Sequence, residues 1–251
     1  MCACAVNPSR FVQGGMSQVV HKAVDMLSAM TVMTAMTAMT TMNAITLLHL
    51  DDALLVVVKP AGMLSVPGLR EGLLDNLTTR VQALHADARV VHRLDQATSG
   101  LMLFARGATM QRALSMAFEA RRVHKHYVAV VAGRVQGEAG SIDAPLIADW
   151  PHRPRQKVDL LLGRPALTHW RVLERTLESG SPATRLELRP VTGRTHQLRV
   201  HLQSIGHAIV GDSLYAPDAS GHARLMLHAN RIALMHPLRQ EACCFTDAPP
   251  F

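Results

Sequence analysis

The sequence predicts an α+β fold with a mixed, mainly antiparallel β-sheet core and flanking helices. Short apolar runs and short runs that alternate apolar with polar residues recur through residues 46–251, and both patterns are typical of strands. Only a few stretches between them have helical spacing. The chain has 251 residues, 48% of them hydrophobic, which is enough to bury one large core. No linker divides residues 46–251, so we expect a single domain there.

Two helices are predicted from apolar residues at helical spacing. They are marked by Leu73, Leu77, Val81 and Leu84, and by Met110, Leu114, Ala117 and Phe118. A third, basic helix is expected to open at the glycine turn of Thr192 and Gly193, where its free amide groups could bind phosphate.

The other elements are predicted as strands. They are a buried run at 54–62 that ends at Pro60 and Gly62, a hairpin over 90–106, and the runs 126–133, 168–175, 184–191 and 224–237. In the hairpin, Ser99 and Gly100 are expected to form the turn. The stretch 149–157, rich in proline and basic residues, is expected to be a loop.

The first 45 residues differ in composition from the rest. Between Met30 and Met42 a methionine recurs every third residue, a period that matches neither a helix nor a strand. Threonine at nearly every third position makes the stretch too polar for a membrane span, and it lacks the features of a signal peptide. We therefore expect residues 1–45 to be a disordered, low-complexity tail, with Met42 as the candidate working start.

The charge balance favours an anionic partner. The formal net charge is +7 and the sequence pI is about 9.8, which favours nucleic acid first and an acidic membrane surface second. The four cysteines lack zinc-site spacing, and the histidines form no HExxH motif, so we expect no metal site. Four cysteines in a chain of this length indicate no disulfide framework, and a reducing, cytoplasmic setting is expected.

One carboxylate is the candidate for chemistry. Asp95 lies in a polar loop between two apolar runs, two residues after Arg93, where a nucleophile or a base could be presented. A turn-capping aspartate would occupy the same kind of position, so the pattern alone leaves both roles open. A neighbouring guanidinium would orient such a carboxylate and keep it ionised. Downstream, His196 and Arg199 follow at helical spacing, and they either track a phosphate backbone or form a solvated basic face.

Three motifs resemble those of the RluA-type pseudouridine synthases. They are HRLDQATSG at residues 92–100, KHYVAVVAG at 125–133 and TGRTHQLRVH at 192–201. The resemblance implies a pseudouridine synthase-like catalytic domain over residues 46–251, with Asp95 as the catalytic residue and Arg194 as its ionic partner. It also implies that Tyr127 stacks on the target uracil and helps to remove its C5 proton, and that neither cofactor nor metal ion is needed.

The resemblance further implies contacts with RNA. Arg93 would enter the RNA stack in place of the everted base. The other RNA-binding side chains would be His92, Arg153, Arg155, Lys157, His196 and Arg199. The stretch PLIADWPHRPRQKV at 145–158 is similar to the branch that modifies both a tRNA anticodon loop and a 23S ribosomal RNA hairpin. The implied partner is therefore structured RNA, and a monomer without membrane contact is expected.

Two other functions stay open at the level of sequence. One is a non-catalytic RNA-binding or ribosome-assembly factor on the same scaffold, although an intact set of Asp95, Tyr127 and Arg194 argues against it. The other is a glycosidase-like hydrolase that uses Asp95. Such hydrolases usually need two carboxylates, and no acidic partner for Asp95 is evident in the sequence.

Overall fold

The computed structural model describes residues 41–42, 45–68, 75–216 and 222–251. The expected tail, residues 1–45, lies outside these ranges except for Thr41, Met42 and Ile45, which are strand residues. Leu73, the first residue of the first predicted helix, also lies outside them. Within the described ranges, no helix has both the length and the apolar character that a membrane crossing requires.

The described ranges contain thirteen strands and three α-helices. The strands are β1 (Thr41–Met42), β2 (Ile45–Leu50), β3 (Leu54–Lys59), β4 (Ala88–Val90), β5 (Ser99–Arg106), β6 (His124–Ala132), β7 (Ala139–Asp143), β8 (Leu146–Ala148), β9 (Gln156–Val158), β10 (Leu167–Glu178), β11 (Ser181–Pro190), β12 (Leu227–Met235) and β13 (Ala242–Thr246). The helices are α1 (Leu77–Leu84), α2 (Gly107–Glu119) and α3 (Gln197–Ser204).

Eleven of the strands form one sheet. Along its main path the order is β1-β2-β3-β5-β12-β6-β11-β10-β7, with β4 beside β5 and β13 beside β12. Its pairs are antiparallel except for the pair of β5 with β12, which is parallel. Strands β8 and β9 form a separate antiparallel hairpin. This arrangement confirms the predicted α+β fold with a mixed, mainly antiparallel sheet.

Helices cover both faces of the sheet at β3 and β5. On one face Val57 packs with Val81 of α1, and on the other Val56 packs with Leu114 of α2. A strand that is buried on both faces carries apolar side chains at successive positions instead of alternate ones. This explains why the sequence of β3 is a continuous apolar run.

Helix α3 packs on the other half of the sheet. Its Leu198 and Leu202 share an apolar cluster with Leu186 of β11 and Leu227 of β12. The segment that leads into α3 therefore lies beside the middle strands of the sheet, near the start of β5.

The predicted turn at Ser99 and Gly100 is wrong, because both residues belong to β5 and the loop from β4 spans residues 91–98. Gly100 has φ +113° and lies against Ala229 of β12, its parallel partner. A Cβ atom at position 100 would overlap the Ala229 carbonyl oxygen. Glycine is required here by a long-range backbone contact and a positive φ, and the local sequence shows neither.

Other boundaries also differ from the predictions. The stretch 149–157 is only partly a loop, since Trp150–His152 forms a 3-10 turn and Gln156–Val158 is β9. The third helix begins at Gln197, because the Thr192 hydroxyl donates to the Gln197 side chain (2.7 Å) and holds residues 192–196 outside the helix. Strand β13 was not predicted, and β12 lies at the middle of the sheet, with β13 following it in the chain.

Candidate active site

A cavity of about 550 Å³ opens at the middle of the sheet, and we call it the central pocket. It lies between the loop 91–98, the first half of β6 and the segment 190–199 that leads into α3. The residues that line it include Arg93, Asp95, Lys125, Tyr127, Arg194 and Leu227. Three candidates that are far apart in the sequence, Asp95, Tyr127 and Arg194, thus line one cavity.

The loop that carries Asp95 is anchored by hydrogen bonds to the segment 59–65. The Ser65 hydroxyl donates to the Leu94 carbonyl (2.6 Å) and accepts from the Leu94 amide (3.1 Å). On the other side of Asp95, the Lys59 ammonium donates to the Gln96 carbonyl (2.9 Å). Both chain neighbours of Asp95 are therefore anchored, which fixes where its carboxylate can lie.

Lys59 is fully buried, and within the described residues its ammonium has main-chain acceptors only. Its Nζ donates to three carbonyl oxygens, those of Pro60, Met63 and Gln96, at 2.9, 2.7 and 2.9 Å. Burial lowers the pKa of Lys59 to about 8, while the charge of Asp95 raises it and that of Arg224 lowers it. Three donors meet three acceptors, which is the arrangement that keeps a buried ammonium charged near neutral pH.

The Asp95 side chain is half-buried at the wall of the central pocket. Within the described residues, its carboxylate forms no hydrogen bond and no ion pair with another side chain. A carboxylate that is fixed in position but has no protein partner is free to react with a bound substrate.

Tyr127 and two leucines give the pocket an aromatic wall and an apolar floor. Tyr127 comes from β6, and the buried side chains of Leu198 and Leu227 lie beside it. Burial raises the pKa of the Tyr127 phenol, and the nearby charge of Asp95 raises it further. The phenol therefore stays protonated at neutral pH, which suits stacking and hydrogen-bond donation better than proton abstraction.

Arg194 lies in the pocket wall but is not paired with Asp95. Its Nε donates to the Pro165 carbonyl (3.2 Å), and its main-chain amide donates to the Gln197 side chain (3.0 Å). In the described part of the chain no ion pair joins Arg194 to Asp95, so the expected ionic partnership is absent from this state. The contact with Pro165 holds the guanidinium toward the segment that follows β9.

His92 lines the central pocket, and its ring also has a structural role. The Leu103 amide of β5 donates to its Nε2 (2.9 Å), and its ring stacks on Phe118 with 4.6 Å between centroids. Burial, with a smaller contribution from the charge of Lys125, lowers the pKa of His92 to about 3. The ring is thus neutral and ties the loop 91–98 to β5.

Arg199 does not lie on an exposed basic helix face, and this part of the prediction is wrong. It is 4% exposed, and its Nε and Nη2 donate to the two carboxylate oxygens of Asp212, both at 2.7 Å. His196 precedes α3 with φ +53°, and its Nδ1 lies 2.8 Å from the Tyr215 hydroxyl. Burial lowers the pKa of His196, although Asp95 is near enough to raise it partly. Arg199 therefore lines the central pocket from a buried position, whereas His196 is not part of that lining and contacts Tyr215.

The remaining basic candidates lie on the β8–β9 hairpin. Arg153 and Lys157 are exposed, and Arg155 is half-buried, with its guanidinium 5.4 Å from the ring of Tyr215. Lys157 forms a long ion pair of 3.9 Å with Asp159. None of the three lines the central pocket, so any contact that they make with RNA lies outside it.

Sequence reasoning missed Lys59 and Tyr215 as residues of the site. Lys59 ends an apolar strand and precedes Pro60, and a lysine at such a place normally reaches solvent. Tyr215 accepts from the Gln156 amide (2.7 Å) and contacts His196, so it joins the β8–β9 hairpin to the pocket. Tyr215 lies in the stretch GDSLYAP at 211–217, which resembles a family segment, but that stretch alone assigns the tyrosine no role.

Among the residues that the structure describes, no group of three histidine, cysteine, aspartate or glutamate side chains is arranged to hold a metal ion. The central pocket presents the loop carboxylate of Asp95 above an apolar floor, beside a protonated tyrosine. Its lining also includes a second carboxylate, that of Glu119, and five basic side chains, those of Arg93, Arg121, Lys125, Arg194 and Arg199.

Residues 53–204 match the family model described as RNA pseudouridylate synthase. The match covers more than half of the chain, so this protein belongs to the RNA pseudouridylate synthase family, whose members isomerise uridine in RNA.

Similar proteins agree with this assignment. The Dual-specificity RNA pseudouridine synthase RluA of Escherichia coli (strain K12) is 45% identical over 209 residues, which are 82% of this chain and 94% of that protein. The protein of the same name from Pasteurella multocida (strain Pm70) is 42% identical over 207 residues, 82% of this chain and 93% of that protein.

A solved structure shows the same architecture. The structure described as Human RNA Pseudouridylate Synthase Domain Containing 1 is 29% identical, with a TM-score of 0.70 over 82% of this chain and 84% of that chain. The resemblance to RluA-type enzymes stated from the motifs is thus confirmed, and the chain is an RNA pseudouridine synthase.

Proposed function

We propose that this RNA pseudouridine synthase modifies a uridine in a tRNA anticodon loop and a uridine in a 23S ribosomal RNA hairpin, with Asp95 as its nucleophile. The observation that carries the proposal is the Asp95 carboxylate, fixed by its anchored loop and unpaired within the described residues, beside the ring of Tyr127. Relatives at 42% and 47% identity are named dual-specificity enzymes, which supports two RNA substrates.

The target uridine must first leave its stack, because its glycosidic bond cannot be reached inside a helix. Loop nucleotides cost less to extrude than paired ones, which favours hairpin substrates. Arg93 is exposed at the rim of the central pocket, and we propose that it fills the gap that the everted base leaves. The base then lies on Leu198 and Leu227, with the ring of Tyr127 against its face.

The isomerisation rearranges bonds without a co-reactant. Asp95 attacks either C6 of the uracil or C1′ of the ribose, and the N1–C1′ bond breaks. The uracil turns within the pocket, C5 bonds to C1′, and the adduct with Asp95 is released as C5 loses its proton and N1 gains one. A pocket of about 550 Å³ leaves room for a uracil to turn.

Tyr127 is proposed to stack on the uracil throughout the reaction. Because burial raises its pKa, the phenol remains protonated at neutral pH, which favours hydrogen-bond donation over proton abstraction. Burial lowers the pKa of Lys125 in the same pocket, which makes its amine easier to deprotonate. We propose Lys125 as the group that assists the loss of the C5 proton.

The RNA backbone is proposed to run from the pocket rim at Arg93 and Arg194 along the β8–β9 hairpin. Arg153, Arg155 and Lys157 lie there and would hold phosphates, so binding should weaken as salt increases.

The proposal is tested with the full-length protein and its Asp95→Asn variant on unmodified tRNA and ribosomal hairpin transcripts. Pseudouridine is mapped by carbodiimide treatment and primer extension. We expect stops at one uridine of each RNA with the wild type and none with Asp95→Asn, although both proteins bind. Stops in one RNA only would reject the dual substrate. Unchanged modification by Asp95→Asn would reject its role, and release of free uracil would indicate the hydrolase instead.

A further inference from the structure

The β8–β9 hairpin presents an exposed tryptophan that the pocket does not use. Trp150 is 64% exposed, and no other tryptophan, tyrosine or phenylalanine in the described ranges is exposed. An indole ring is usually buried, since it offers a large apolar area, so an exposed tryptophan on a functional hairpin marks a contact surface.

One face of the Trp150 ring is already covered. The guanidinium carbon of Arg153 lies 3.3 Å from the centroid of the ring, a stacked cation–π contact. A single guanidinium covers only one face of an indole, which leaves the other face for a second planar group. Aromatic rings and guanidinium planes are the surfaces on which proteins stack unpaired RNA bases.

The tip of the hairpin is held in this shape before any ligand arrives. The Asp149 amide donates to the Arg155 carbonyl (2.9 Å), and the Arg155 amide donates to the His152 carbonyl (3.0 Å). The His152 ring also contacts the Asp149 carboxylate at 3.0 Å. A closed tip loses little conformational entropy on binding, so Trp150 is preorganised as a stacking platform.

Two contacts connect the hairpin to the central pocket. The Gln156 amide of β9 donates to the Tyr215 hydroxyl (2.7 Å), which also contacts His196. On the segment that follows β9, the Pro165 carbonyl accepts from Arg194 (3.2 Å). The hairpin therefore keeps a fixed position relative to the pocket, and an RNA loop held by the pocket can reach the hairpin with another nucleotide.

We propose that Trp150, backed by Arg153, is a stacking site for an unpaired base of the substrate RNA that is not the target uridine. This inference rests on the proposed function in that it takes structured RNA as the ligand. The basic side chains of Arg155 and Lys157 on the same hairpin would hold the phosphates next to that base. The site thus selects RNA loops that offer a second unstacked base at a set distance from the target.

The experiment uses the fluorescence of Trp150. The chain has two tryptophans, Trp150 and the partly buried Trp170, so Trp170→Phe leaves Trp150 as the only reporter. The full-length protein also carries Asp95→Asn, which prevents turnover during a titration with unmodified tRNA or ribosomal hairpin transcripts. We expect saturable quenching of Trp150 on binding. A control protein that carries Asp95→Asn and Trp150→Phe but keeps Trp170 should show little change in fluorescence on binding RNA.

Affinity provides the second measurement. Trp150→Leu should weaken binding of the loop RNA about tenfold, since an aromatic–base stack contributes about that much, and Trp150→Phe should lose less. Leu161→Ala is the matched control, because Leu161 is 93% exposed on the segment after β9 and should leave the affinity unchanged. Each loop nucleotide is also replaced in turn by an abasic one. We expect the quenching to be abolished by replacement at one position only, and that position should not be the target uridine.

The outcomes separate this inference from the proposed function. RNA that binds without quenching, or that binds Trp150→Leu as tightly as the wild type, overturns the stacking site and leaves the isomerisation untouched. Quenching by an RNA in which the wild type forms no pseudouridine supports the stacking site and rejects that RNA as a substrate. Quenching abolished only when the target uridine itself is abasic would overturn the claim of a second base.

Discussion

The ammonium of Lys59 donates a 2.9 Å hydrogen bond to the carbonyl oxygen of Gln96, the residue that follows Asp95. Lys59 is the last residue of β3, which helices cover on both faces. Its buried ammonium contacts the main chain of the loop 91–98 at Gln96. The same ammonium binds the carbonyls of Pro60 and Met63. One buried ammonium therefore joins the segment 60–63 to the loop 91–98 and helps to fix the position of the Asp95 carboxylate in the pocket wall.

Replacing Lys59 by Met should lower both stability and turnover. The change leaves three carbonyl oxygens without their charged donor, and hydrogen bonds to a charged group contribute about 1.5 to 3 kcal/mol each when lost singly. Since the loop can relax, we expect a net loss of about 3 kcal/mol in the free energy of unfolding. We also expect a fall of more than tenfold in kcat with little change in KM, because a displaced nucleophile affects the transition state.

Denaturant unfolding and single-turnover kinetics measure these two effects. Lys157→Met is the stability control, because Lys157 is exposed and its ion pair with Asp159 is 3.9 Å long, which predicts a change below about 0.5 kcal/mol. A Lys59→Met enzyme with normal kcat would show that the loop 91–98 holds Asp95 without this ammonium.

Gly100→Ala should be among the most damaging small substitutions. Its Cβ would overlap the Ala229 carbonyl oxygen, and its φ of +113° disfavours any L side chain. We expect a loss of at least about 3 kcal/mol, since a strained backbone and a displaced strand act together. Gly180→Ala separates the two causes, because Gly180 has φ +81° but open space around it, and should cost about 1 kcal/mol. Equal losses at both positions would mean that β12 moves away without penalty.

Several of the strands were predictable because their signals are local. The apolar run of Leu54–Lys59 and the alternation in β10 and β11 follow from which faces of each strand are buried, and those patterns are visible in a few residues. The motifs around Asp95, Tyr127 and Arg194 likewise led to one cavity. Each of these signals needs no knowledge of a distant part of the chain.

Some of the differences involve partners that the local sequence does not reveal. Ser99 and Gly100 look like a turn until β12 is placed beside them in parallel. Arg199 looks like a solvated basic residue until Asp212, 13 positions later, is brought beneath it by the turn at 205–212. Only the fold shows that the Leu103 amide of β5 donates to the ring of His92. In each case a polar group is satisfied by a partner that only the tertiary fold supplies.

Because the Arg199–Asp212 ion pair is buried, we expect substitution of Arg199 to lower the stability of the protein without changing the electrostatic part of RNA binding. Arg199→Met leaves the Asp212 carboxylate, 0% exposed, without its counterion, and should cost about 3 to 5 kcal/mol. The slope of log Kd against log salt for RNA should stay unchanged, because Arg199 is not offered to phosphates. Lys157→Ala should do the opposite, with stability kept and the slope reduced by about one. A reduced salt slope of RNA binding in Arg199→Met would show instead that Arg199 contacts a phosphate, as the sequence analysis expected.

Asp51 should make the fold sensitive to acid. Its carboxylate lies at the end of β2, where it meets the rings of His49 (2.8 Å) and His236 (3.0 Å) and accepts from the amides of Ala53 (2.8 Å) and Leu54 (3.0 Å). Burial alone would raise its pKa, but these hydrogen bonds outweigh burial and hold the pKa of Asp51 well below its usual 3.8.

A folded-state pKa below the unfolded value means that the unfolded chain binds the proton more tightly. The stabilisation from Asp51 is therefore complete above about pH 4 and is lost as the pH falls from 3.8 toward the folded-state pKa. Asp51→Asn should lower the free energy of unfolding by about 2 kcal/mol at pH 6, and the difference from the wild type should shrink below pH 4. Denaturant titrations from pH 6 to 3 measure it, with exposed Asp52→Asn as the control that should change little. A difference that stays constant over this range would mean that the substitution acts through packing alone and that the charge of the Asp51 carboxylate is not what ties β12 to β2.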